Sequence, residues 1–151
     1  MLVTVDMATG LVFDFIVTDG CVLAVYERLA FPGTEHAGFS YAVPVADRHP
    51  HDLHDLAIAY DAASATTRWY VEGDEVLAVD RLGFRALDAA HLKRDNGKAE
   101  QAAAPRQLTC GVSLFTDRLW GQGLRMTVAS VEVRSSTPPS PKQTRGKDTS
   151  S

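Results

Sequence analysis

LHDLAIAYDAASATTRWYVEGDEV, residues 53–76, decides the fold. His54, Leu56, Ile58 and Tyr60 fall on one face of an extended chain, with Leu53, Asp55, Ala57 and Ala59 on the other. After the DAASA segment, Thr67, Trp69 and Val71 alternate with Arg68, Tyr70 and Glu72. A two-residue period rich in β-branched and aromatic side chains predicts two strands. The intervening loop is longer than a two-residue hairpin turn, and its alanines also suit a helical turn. Glu72-Gly73-Asp74-Glu75 reads as a tight reversal in which Gly73 can take a positive φ. Val76, Leu77 and Val79 begin a third strand, which Arg81 to Ala86 is expected to end. Parity places Leu56, Ile58, Trp69 and Val71 in the core, with Tyr70 pointing away.

Working outward, the same period recurs. Residues 2–5 read as a short strand, followed by a turn over Asp6–Gly10. Leu11 to Val17 and Cys21 to Leu29 form a second hairpin, because Thr18-Asp19-Gly20 carries a strong turn signal. In its first strand Leu11, Phe13 and Phe15 share one face, and Val12, Asp14 and Ile16 the other. Phe31-Pro32-Gly33 breaks the pattern. Phe39 to Val45 is a further strand, and Pro44 assigns that end to a sheet edge. Leu108 to Thr116 and Leu124 to Val133 read as the last strands. Residues 87–107 are Ala-rich and charged; they read as a surface excursion with one or two helical turns. Seven or so short strands without a long helix predict an antiparallel all-β sandwich or barrel over residues 1–134. Residues 135–151 are rich in Ser, Thr, Pro and charge, and are expected to be a disordered tail.

Composition narrows the function classes. The chain has 151 residues, 45% of them hydrophobic and 23% charged, enough for one globular domain. A net charge of −4 gives no support to a nucleic-acid partner. No apolar run approaches the roughly 20 residues of a membrane span, and no signal-peptide pattern opens the chain. The expected location is therefore cytoplasmic. Cys21 and Cys110 lie in apolar, strand-like settings and read as two buried free thiols.

His54-Asp55-Leu56-Ala57-Ile58-Ala59-Tyr60 followed by Arg68-Trp69-Tyr70-Val71-Glu72-Gly73 resembles a signature hairpin of the concanavalin A-like lectin and glucanase sandwiches. About 25 residues carry the match. Tyr60 stands where Trp is common, and Glu72 where Asp is usual. The resemblance implies a jelly-roll sandwich with His54 as a structural hairpin residue. DMATGLVFDFIVT (6–18), Tyr26-Glu27-Arg28-Leu29 and GVSLFT (111–116) are similar to an uncharacterised actinobacterial family of such sandwiches. In that family the domain begins upstream of the position of Met1. The resemblance thus implies an incomplete sandwich, truncated at its N-terminus.

Laminarinase-type glycosidases set Glu, Asp and Glu along one strand. Two carboxylates about 5–5.5 Å apart then perform retaining hydrolysis. If Glu27 is the last of these, the others fall at Val22 and Ala24, so that motif is absent from the Cys21–Arg28 strand. No catalytic residue is therefore assigned. The ligand-binding candidates are Tyr26, Glu27 and Arg28 on that strand, Tyr70 on the opening hairpin, and Trp120 in the DRLWGQG loop. Arg suits planar bidentate contacts, and aromatic rings suit sugar faces. Glu27 and Arg28, as strand neighbours, should point to opposite faces. His49, His51 and His54 with Asp47, Asp52 and Asp55 form the one metal-like cluster, but read as loop histidines beside the structural His54. No cofactor or metal is expected.

The leading expectation is a non-catalytic binding or interaction domain for a carbohydrate or small polar ligand. A degenerate or novel glycan-active enzyme, with Glu27 and His54 as participants, is the alternative. A remnant without independent activity is the third.

Overall fold

The computed structural model describes residues 1–115 and 125–136. Among these residues nine strands and one 3-10 turn follow in order. They are β1 (Leu2–Asp6), β2 (Leu11–Val17), β3 (Cys21–Arg28), β4 (Phe39–Asp47), β5 (Leu56–Asp61), β6 (Thr66–Val71), β7 (Asp74–Val79), the 3-10 turn Ala89–His91, β8 (Leu92–Asp95) and β9 (Thr109–Val112). They form two antiparallel sheets. Six strands run in the order β8-β4-β3-β2-β1-β9, and three in the order β5-β6-β7. This is an all-β architecture of two sheets packed face to face.

The stretch 53–76 folds as its parity dictates. Leu56 pairs with Val71, Ile58 with Trp69 and Tyr60 with Thr67, all on the face turned to the larger sheet. Trp69 has no exposed surface. Its ring meets Phe13 edge-on with centroids 5.8 Å apart, and its indole N–H donates to the Asp14 carbonyl at 3.1 Å. Glu72 and Gly73 both take positive φ, 53° and 85°, between the paired residues Val71 and Asp74. That is the requirement of the primed two-residue turn that suits twisted strands. The Glu72 carboxylate is held locally, accepting from the Asp55 N–H and contacting His54 Nδ1, each at 3.2 Å. His54 therefore braces the hairpin.

In the six-stranded sheet, Phe13, Phe15, Ala24, Tyr26, Phe39 and Tyr41 face the smaller sheet and form the core. The opposite, outer face carries Val3, Val5, Val12, Asp14, Val25, Glu27, Ser40 and Ala42, placed there by the registers of β1 to β4. Pro44 sits where β4 has β3 on one side only, because β8 pairs just with Phe39, Ser40 and Tyr41. Its missing N–H therefore interrupts no ladder.

Several parts of the chain differ from expectation. The third strand stops at Val79. Arg81–Ala86 is irregular because Gly83 adopts φ 93°, which no extended strand allows. Within 87–107, the helical turn shrinks to Ala89–His91, and Leu92–Asp95 joins the large sheet as an edge strand. Residues 125–133, the described part of the expected closing strand, have no strand partner among the described residues and are exposed. Its apolar phase breaks between Val128 and Val131, so no single face stays apolar. Cys21 is half-buried and Cys110 exposed; both are free thiols, and Cys110 lies on the edge strand β9. Trp120 and nearly all of the expected tail lie outside the described residues.

Candidate polar site on the outer face of the large sheet

The three consecutive candidates on β3 are separated by the pleat. Tyr26 and Arg28 point inward, and Glu27 outward. Tyr26 is fully buried, stacked between Phe13 and Tyr41. Its hydroxyl accepts from the Gly83 N–H at 2.7 Å and lies 3.5 Å from the Arg81 carbonyl. Burial pushes this phenol up to about 12, so it stays protonated. Its work is to pin the 81–83 loop to β3. Arg28 is also buried, and Nη1 donates to the carbonyls of Gly83 and Gln101. Tyr70 is half-buried on the outward face of β6, remote in register from both.

Glu27 does have polar company. Reading across the outer face, Thr109, Val5, Val12, Glu27, Ser40 and Arg94 form one row over all six strands. The Arg94 guanidinium approaches Glu27 Oε1 to 3.6 Å. The Glu27 side chain is only 19% exposed, and Arg94 is 81% exposed. Burial raises the Glu27 pKa, and the Arg94 charge opposes that rise.

The residue that sequence reasoning missed is Asp14. It pairs with Val25 on β3 and Val3 on β1, in the next row of the same face. Asp14 and Glu27 are thus diagonal neighbours, a relation that puts Cα atoms roughly 7–8 Å apart. Asp14 is 5% exposed, and the Thr4 N–H reaches Oδ1 at 3.3 Å. Desolvation among valines pushes its carboxyl up to about 7, against the pull of the Thr4 N–H and with help from the negative charge of Glu27. Two acids on one face, of which one keeps its proton near neutrality, can accept, donate and transfer protons. The signal was available. The Asp19-Gly20 turn aligns β2 with β3, and that register sets Asp14 beside the Glu27 row.

The histidine-rich segment does not converge. His49 contacts Asp52 at 3.6 Å, whereas His54 contacts Glu72. Among the described residues, no three His, Cys, Asp or Glu side chains are grouped to hold a metal ion. Among the same residues, no helix is long and apolar enough to cross a membrane.

Residues 1–137 match a family of unknown function, DUF6081. The chain belongs to that family. No curated protein and no solved structure matches it.

Proposed function

We propose, for this member of a family of unknown function, a non-catalytic binding domain that takes a polar, hydroxyl-rich ligand on the outer face of its large sheet. The reading rests on one observation: Asp14, Glu27, Ser40 and Arg94 bring acceptors and donors onto a sheet face whose central strands otherwise carry valine and alanine. A carbohydrate has the matching chemistry, with hydroxyls that both donate and accept. The concanavalin A-like resemblance of the 53–76 hairpin supports the same choice of ligand and scaffold.

The test is calorimetric titration with a panel of neutral and acidic oligosaccharides. Saturable binding that weakens about tenfold or more in Glu27→Gln or Arg94→Ala supports the reading; flat heats across the panel sink it. A second reading is favoured by Asp14, whose pKa of about 7 beside Glu27 suits a general acid. A glycan-active enzyme of this kind would release reducing ends from an oligosaccharide. Turnover that survives in both Asp14→Asn and Glu27→Gln removes these residues from catalysis.

A further inference from the structure

At the far end of β3, on the inner side of the sheet, Arg28 poses a separate problem. The residue is 5% exposed, yet it takes part in none of the ion pairs found among the described residues. Two carbonyl oxygens share Nη1, and among the described residues no hydrogen bond engages Nη2 and the buried Nε has no partner. A buried guanidinium without a counter-charge is costly, and a paired one is far less so. Asp6, in one cross-strand row with Leu11 and Arg28, does not supply the charge. It accepts from the N–H groups of Ala8 and Arg106, each at 2.9 Å. Although burial opposes its ionisation, these donors hold the carboxyl below its ordinary range.

Arg28 lines an open cleft of about 510 Å³. Arg106, His36, Thr9 and Gln101 line it too, and no acidic residue does. Arg106 and His36 are likewise absent from the ion pairs among the described residues. The wall is built to close tolerances. A Cβ on Gly83 would lie 2.2 Å from the Gln101 carbonyl oxygen and 2.9 Å from Arg28 Nη1. Only glycine lets the 81–83 loop, the 101–103 segment and the guanidinium meet.

We propose that this cleft binds a small oxyanion, a carboxylate or phosphate group, between the Arg28 and Arg106 guanidinium groups beside His36. The planar fork of Arg matches two oxygens of either group, and a bound anion supplies the counter-charge that the chain itself does not. The site lies on the opposite side of the sheet from Glu27 and does not depend on the outer-face reading.

Calorimetric titration with inorganic phosphate and with succinate, against sodium chloride at matched ionic strength, tests it. Saturable binding of one or both is expected, about tenfold weaker in Arg106→Gln and less so in His36→Gln. Arg106 is exposed, so its variant should fold; a cooperative melt checks this. Arg28→Lys retains the charge and loses the fork, and should weaken binding as well. Binding of phosphate alone, or of succinate alone, assigns the group recognised. Heats for both probes that match chloride, or a binding curve unchanged in Arg106→Gln, overturn the proposal.

Discussion

Replacing Asp14 with Asn should flatten the pH dependence of stability in one defined window. In the folded chain the carboxyl is pushed from its ordinary 3.8 to about 7, chiefly by burial. The folded state then holds the proton more tightly than the unfolded state. The contribution of Asp14 to stability is full below about pH 4 and falls as pH rises, by about 1.4 kcal/mol per unit, levelling near pH 7. A shift of about three units amounts to about 4 kcal/mol, a large share of the 5–15 kcal/mol typical of a domain. Asn cannot ionise, so Asp14→Asn lacks this slope. It should match or trail the parent in acid and exceed it above neutrality. Glu27, raised in the same sense, and Asp6, lowered in the opposite sense, titrate in both proteins and largely cancel in the difference. Urea unfolding in steps between about pH 4.5 and about pH 8 measures that difference. A difference constant within about 0.5 kcal/mol across the window would refute the burial argument.

Two further outcomes follow from the packing. Trp69→Ala removes a fully buried indole from the contact between the sheets and should cost about 3–5 kcal/mol in chemical denaturation; a loss under about 1 kcal/mol would contradict its central place. Gly83→Ala places a Cβ against the Gln101 carbonyl at φ 93°. It should lower stability by about 1–3 kcal/mol and weaken oxyanion binding with it, read by melting temperature and titration together.

Where side chains alternate and turns carry Gly or Asp, the structure was legible in the sequence. The β5–β6 pairing, the Glu72-Gly73 turn and the β2–β3 hairpin all have two-residue patterns bounded by turn residues. Leu92–Asp95 was not legible, because LKRD is an edge strand with one half-buried apolar residue and no periodic face. Arg81–Ala86 misled in the other direction. Leu82, Phe84 and Ala86 alternate, but the positive φ of Gly83 is a backbone fact that alternation does not encode. The polar site was half legible. Glu27 is visible on its own strand, but alternation along one strand does not show Asp14, which the neighbouring strand sets beside it. Cross-strand chemistry needs register as well as composition. For Arg28, sequence pointed to a cation able to hold a ligand, and burial without a counter-ion emerged only from the packing.

The Arg28 clasp also bears on how the chain folds. It reaches a carbonyl 55 positions away and another 73 positions away, and the adjacent Tyr26 hydroxyl is tied 57 positions ahead. Hairpins close over a few residues and form early; contacts across such separations carry a larger loop-closure cost and come late. The cleft walls are therefore among the last parts assembled. A chain emerging from synthesis, or one partly unfolded, is expected to form its hairpins before this cavity. Occupancy there reports completion of the fold, and a bound anion would slow the first step of its opening.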